Sequence, residues 1–204
     1  MKATSSLRPP AASAERVQEY LADFMSLLRA VDPEAVARVV DLLREARDRG
    51  STVFVAGNGG SAATASHLAN DLGKAAKSSG RRPFRVLSLT DNVPWLTALA
   101  NDEGYERVFA GQMENFCAPG DVLILLSASG NSPNLLAAAA LARRHGVRTI
   151  GLLGFDGGEL LSLVDEALWI ETRPGLYGLA ETIQALLCDV MTTCLAEDVA
   201  PEQA

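Results

Sequence analysis

The sequence predicts an α/β protein: a five-stranded, doubly wound parallel sheet with helices on both faces, preceded by two helices. Three observations point there. Apolar residues before Gly50 recur at helical spacing. Beyond it come short apolar runs without polar alternation, the pattern of parallel strands buried on both faces. The segments between those runs are mostly of helical character, the order that builds a doubly wound sheet.

In chain order, a Ser/Pro-rich stretch ends near Pro10, and Val17, Tyr20, Leu21, Phe24, Met25, Leu28 and Val31 then follow the i, i+3, i+4 rhythm of an amphipathic helix. Asp32-Pro33 sets a capping acid before a first-turn proline, and a second helix runs through Val36, Val39, Val40 and Leu43 until Gly50 stops it. The expected strands are 52–56, 84–89, 122–126, 147–153 and 167–170, and a long last helix covers about 178–197. One domain over 14–198 is expected, with a flexible tail at 1–13 and a short tail at 199–204. In such a sheet, ligands bind outside the carboxyl ends of the strands, so the loops just after the apolar runs are the ones to read.

Composition narrows the function. The 204 residues suffice for a sizeable core. A formal net charge of −7 argues against a binder of nucleic-acid phosphates, which needs a basic face. Cys117, Cys188 and Cys194 are odd in number and lack metal-ligand spacing, so reduced thiols in a cytoplasmic protein are expected. The first residues carry Lys2 and Arg8 without an apolar signal core, and no later stretch reaches about 18 uninterrupted apolar residues. The expectation is neither export nor a membrane partner. Only two histidines are present, His67 and His145, which restricts acid–base and zinc chemistry.

Two loops carry the chemistry. Gly57-Asn58-Gly59-Gly60-Ser61 follows the first strand and opens a helix; its glycines admit a ligand to the backbone, and free amides with the Ser61 hydroxyl suit an anion. By itself this is also a tight strand-to-helix turn, or a loose dinucleotide fingerprint ending at Ala62. Ser127-Ala128-Ser129-Gly130-Asn131-Ser132 follows the third strand and again leads into a helix. Its hydroxyls and amides can surround a phosphate monoester without Lys or Arg. Ser, Asn and Gly are also ordinary capping residues, but two such loops at equivalent strand ends favour a phosphate site.

With Ala65-Ser66-His67, Ala100-Asn101-Asp102, Gly120-Asp121-Val122-Leu123 and Asp156-Gly157-Gly158-Glu159-Leu160, these loops resemble the sugar isomerase, or SIS, family, in particular its phosphoheptose isomerase branch. The resemblance is collinear from about 14 to 195. It implies a three-layer α/β/α, flavodoxin-like domain that binds phosphosugars. It also implies a homotetramer in which the N-terminal helices pack together and sites form between subunits. By the same likeness Ser61, Ser127, Ser129 and Ser132 hold the phosphate. Asn58, Gly59, Gly60, Asn101, Asp102, Asn131, Glu181 and Gln184 belong to the substrate site, with Asn58 and Asp102 near the sugar.

Aldose–ketose isomerisation moves a proton between adjacent carbons through an enediol, which takes a base, an acid for the carbonyl oxygen, or a metal doing part of that work. The phosphoheptose isomerases place His and Glu four residues apart after the glycine loop, and Gln and His eight residues apart on the last helix. Here the first pair is His67 and Asp71, on one helical face, the acid a methylene shorter. The last helix keeps Gln184 but has Thr192 where the second His belongs. Asp71 is thus expected as base, His67 as acid or metal ligand, and Thr192 with water in place of the absent His. His145 reads as a helix cap. For zinc, His67, Asp71 and Gln184 would offer at most three protein ligands, one a weak amide oxygen, so no cofactor is required and zinc stays an open alternative.

Plainer readings stand beside these. His67 with Asp71 is also a surface ion pair worth about 0.2–0.5 kcal/mol. Asn101-Asp102 is also a helix-to-loop turn, Glu181 also a solvated helix-start carboxylate, and Trp95 and Trp169 fit packing better than ligand stacking. At the level of function, an enzyme acting on sedoheptulose 7-phosphate or a related ketose phosphate is expected. The alternative is a non-catalytic phosphosugar-binding adaptor, suggested by Thr192 and by the likeness of 90–93 and 154–160 to the SIS-type protein that helps a bacterial replication initiator assemble. A dinucleotide enzyme lacks the acidic residue about 20 positions past its fingerprint and leaves the second serine loop without a role.

Overall fold

The computed structural model describes residues 13–74, 76 and 81–197. The two expected tails lie outside these residues except for Ser13, which begins α1 (Ser13–Arg29). The order then runs α2 (Pro33–Arg49), β1 (Thr52–Gly57), α3 (Gly60–Lys74), β2 (Arg85–Ser88), α4 (Val93–Asp102), α5 (Ala110–Met113), β3 (Val122–Ser127), α6 (Pro133–Arg144), β4 (Arg148–Leu153), α7 (Leu160–Leu163), β5 (Glu166–Trp169) and α8 (Tyr177–Ala196). Each strand end falls within one residue of the expectation. The caps of α2 are as expected: the Asp32 carboxylate accepts from Glu34 N at 2.9 Å, and Gly50 closes the helix in the left-handed conformation. His145 likewise caps α6, its amide bonded back into the last turn.

All neighbouring strands pair in parallel, in the order β2-β1-β3-β4-β5. After β1 the chain first builds outward to β2 and then returns to lay β3 on β1's other side. The order therefore reverses between β1 and β3, and their carboxyl ends flank the crevice where an open sheet binds ligands.

The apolar runs are continuous because both faces are covered. Val53, Val55, Ile124 and Leu126 pack into a core shared with α2, α3 and α8. The alternate residues Phe54, Ala56, Leu123 and Leu125 enter a second core with residues of α4, α5 and α6. Each large side chain so buried contributes about 1.5–3 kcal/mol, which fixes strand register against slippage. Helix α8 is long and apolar enough, by composition, to cross a membrane, and half of it is buried in this fold, where it packs on α3 and α2. Trp95 meets Phe116 edge to face at 5.7 Å, and Trp169 donates to the Phe155 carbonyl at 3.2 Å, so both serve packing.

Helix α1 is different. It rests on α8 yet buries none of its residues, and Val17, Leu21 and Met25 are 57%, 55% and 52% exposed along one apolar stripe.

Candidate active site

The crevice is built from backbone turns at the ends of β1 and β3. After β1, Gly59 turns the chain at φ +56, and α3 starts at Gly60. A Cβ on Gly60 would run into the Glu181 carboxylate, so the absent side chain is what lets an acid of α8 lie over the first turn of α3. After β3, Gly130 adopts φ +66 and passes so close to the Gly157 carbonyl that a Cβ would collide with it. That turn lets the Ser127 Oγ accept from Gly130 N at 2.9 Å and the Ser129 Oγ from Asn131 N at 3.3 Å. Ser132 precedes α6 with its side chain making no capping bond.

A reciprocal amide pair joins the two turns. Asn58 Nδ2 donates to Asn134 Oδ1, and Asn134 Nδ2 donates back to Asn58 Oδ1, each at 2.9 Å; Tyr105 Oη adds a third bond to Asn58 Oδ1 at 3.1 Å. Asn134 is buried, so breaking this pair would strand polar atoms in the core. On the other side, Ser61 Oγ donates to Gln184 Oε1 at 3.1 Å, and Gln184 Nε2 donates to the Leu152 carbonyl at 2.9 Å.

Between the turns lies a cavity of about 90 Å³ lined by Asn58, Ser61, Ser127, Ser129, Ser132, Tyr177 and Glu181. Among the described residues no Lys or Arg lines it. Hydroxyls and the amino-terminal ends of α3 and α6 face it instead, and the unpaired amides and dipoles of such helix ends favour negative charge. The volume suits a phosphate-sized group rather than a whole drug-sized ligand, which takes about 300–1,000 Å³.

His67 and Asp71 sit further along α3, His67 Nε2 lying 3.2 Å from Asp71 Oδ2, with Asp71 half-buried and His67 55% exposed. Asp71 is ten residues past Ser61, about 15 Å along the helix axis. Within one chain the serine crevice therefore lies at the start of α3 and the acid–imidazole pair begins at its middle, His67 about 9 Å along the axis from Ser61.

Several expected site residues are placed elsewhere. Asn101 and Asp102 end α4, exposed, with Asn101 Nδ2 bonded to Asp102 Oδ1 at 2.7 Å, and neither lines the cavity. Asn131 accepts from Glu159 N at 2.8 Å and so ties down the loop before α7. Gly59 and Gly60 shape the turn without lining the cavity. Gln184 is 1% exposed, with both ends of its amide engaged, so it braces Ser61 against β4 and does not present a free oxygen to a metal at His67 and Asp71. The set His67, Asp71 and Gln184 therefore does not fit zinc. Thr192 is also turned inward: its hydroxyl donates to the Cys188 and Asp189 carbonyls of its own helix at 2.9 and 3.1 Å. This back-bonding, common for Thr within helices, corrects the expectation that Thr192 with water stands in for the missing His.

Sequence reasoning missed Asn134, Tyr105, Tyr177 and Asp189. Asn134 in the second position of an Ala-rich helix was a signal, since an amide there points back to the preceding loop. Asp189 enters because its carboxylate lies with His67 and Asp71, all three ligand atoms within 4.8 Å of one another.

A parallel sheet with hydroxyl-lined helix starts at its topological switch point, and no cation among the described residues there, defines a doubly wound α/β protein with a crevice of anion-suited chemistry at that point. Residues 19–154 match the model of the SIS domain, and the chain belongs to that family. It is 42% identical over 165 residues to a phosphoheptose isomerase of Pelobacter propionicus, covering 80% of this chain and 87% of that protein. It is 36% identical over 182 residues to the phosphoheptose isomerase of Geotalea daltonii, covering 87% and 94%. Among solved structures, phosphoheptose isomerase from Neisseria gonorrhoeae superposes with a TM-score of 0.84 at 26% identity, over 92% of this chain and 100% of that one.

Proposed function

We propose that the protein is an aldose–ketose isomerase of the phosphoheptose isomerase type, acting on sedoheptulose 7-phosphate or a related ketose phosphate as a cytoplasmic homotetramer. The observation that carries this reading is the cation-free serine crevice at the β1/β3 switch point together with the His67–Asp71 pair on the helix that the crevice opens. Similarity to named phosphoheptose isomerases over most of both chains supports it.

In this reading Ser61, Ser127, Ser129 and Ser132, with the amides opening α6, bind the phosphate; Asn58 and Glu181 bind sugar hydroxyls. Asp71 removes the proton from the carbon beside the carbonyl, and the His67 imidazole gives a proton to the carbonyl oxygen, producing the enediol. Asp71 then delivers its proton to the former carbonyl carbon while the hydroxyl of the first carbon gives its proton to His67, which leaves the aldehyde and restores both side chains. The length of α3 between Ser61 and Asp71 favours a substrate held by the crevice of one subunit and worked on by the pair of its neighbour. The exposed apolar stripe of α1 supports the oligomer that this requires.

Incubation of the purified protein with sedoheptulose 7-phosphate, with and without added divalent ions, is expected to yield the aldose phosphate. Asp71→Ala should lower the rate about 10²- to 10⁴-fold, the range of general acid–base catalysis. No turnover under any condition would remove the reading. The adaptor reading is favoured by one observation, the inward-turned Thr192 where the second catalytic His is absent. It predicts that the sugar phosphate binds, raising the thermal midpoint, with no product formed.

A further inference from the structure

Asn58 lines the crevice, and the way its side-chain amide faces decides what it can offer a ligand. Its neighbours settle that direction. Leu135 N, which can only donate, lies 3.0 Å from one end of the Asn134 amide, sharing its proton with the Ser132 carbonyl, so that end is the oxygen, Oδ1. The other end, Asn134 Nδ2, then donates to Asn58 Oδ1, and Asn58 Nδ2 donates back to Asn134 Oδ1, each at 2.9 Å. Asn134 is buried, which shields the pair from competing water.

Tyr105 completes the lock. Its Oη lies 3.1 Å from Asn58 Oδ1, and because that atom is the amide oxygen the phenol is the donor. Both lone pairs of Asn58 Oδ1 are thereby taken, while of the two Nδ2 protons one is used and the other has no partner among the described residues. Asn58 can therefore donate to a ligand but not accept from one. A serine hydroxyl, by contrast, rotates to suit either role. The phenol is exposed, yet its segment is anchored on both sides. Gly104 turns the chain at φ +98 before it, and after it Arg107 bonds Glu103 at 3.3 Å and Glu114 at 2.8 Å while Val108 and Phe109 enter the core.

The geometry points to Tyr105 as a positioning residue of the isomerase site: with Asn134 it fixes the Asn58 amide as a one-way donor, so the ligand atom seated there is an acceptor oxygen of the phosphate or of the sugar. This rests on the reading of the crevice as a phosphosugar site and adds to it the direction of one contact.

Tyr105→Phe keeps the ring and removes the donor. Full-length protein, unsubstituted and Tyr105→Phe, is titrated with sedoheptulose 7-phosphate and separately with inorganic phosphate, binding being read by calorimetry and the Asn58 side-chain amide by ¹⁵N nuclear magnetic resonance. That amide signal is identified by its loss in Asn58→Asp. Affinity for the sugar phosphate is expected to fall about two- to tenfold in Tyr105→Phe, the worth of one neutral hydrogen bond, with a thermal midpoint close to that of the unsubstituted chain because Tyr105 is exposed. One of the two Asn58 amide protons should shift on binding, and shift less in Tyr105→Phe; a Tyr105 that only held its own loop would move the midpoint and not this signal. A shift with both ligands puts the acceptor oxygen on the phosphate, and a shift with the sugar phosphate alone puts it on the sugar, each in support. Unchanged affinity in Tyr105→Phe, or binding with neither amide proton shifted, overturns the inference and leaves the isomerase reading standing. Absence of binding by the unsubstituted protein removes both.

Discussion

Asn134 makes the largest demand on its surroundings of any polar residue at the crevice. It is buried, exchanges two hydrogen bonds with Asn58 and accepts a third from Leu135 N. Asn134→Ala is expected to lower unfolding free energy by about 1–3 kcal/mol, the cost of a buried partner left unsatisfied. It should also raise KM for the sugar phosphate more than it lowers kcat; denaturant titration and steady-state kinetics check both. Cys188 gives a pH signature. Burial lifts its pKa from 9.0 to about 12, so the folded state holds the thiol proton through a range where the unfolded chain has lost it. That contribution is fully present below pH 9 and is lost as pH rises from 9 toward 12, at up to about 1.4 kcal/mol per pH unit. Stability measured against pH for the unsubstituted chain and Cys188→Ala should show a shallower alkaline decline in the variant.

At the scale of elements, the turn after β3 depends on one glycine. Gly130→Ala meets both an unfavourable positive φ and the Gly157 carbonyl, and about 1–3 kcal/mol of strain is expected. Phosphate binding followed by calorimetry should weaken with it, because Ser127 and Ser129 are positioned by the amides of that same turn. The strands, the caps of α2 and both glycine-serine loops were legible in the sequence because each is written in local pattern: runs buried on both faces, Asp32-Pro33 before a helix, Gly and Ser at strand ends. Contacts between distant segments were not. The Asn58–Asn134 pair joins residues 76 apart, and nothing local tells an amide which loop it will meet. Gln184 and Asp189 make the same point on α8: spacing placed Gln184 with His67 and Asp71, while packing turned it to Ser61 and β4 and brought Asp189 to the pair instead.

Among the described residues an apolar stripe on α1 is left uncovered, and the His67–Asp71 pair stands about two to three turns along α3 from the serine crevice. In the proposed reading, copies of the chain meet through α1 and complete each other's sites. Leu21→Glu with Met25→Glu, both exposed in the single chain, should leave the fold intact by circular dichroism, lower the mass seen by light scattering, and abolish turnover together with assembly. The central claim, that the crevice and the pair serve isomerisation through an enediol, is tested most directly by mass spectrometry of sedoheptulose 7-phosphate incubated with the protein in deuterium oxide. The account predicts aldose phosphate together with deuterium in the heptose phosphate pool, both lost in Asp71→Asn; neither aldose nor deuterium uptake with the unsubstituted protein would contradict it.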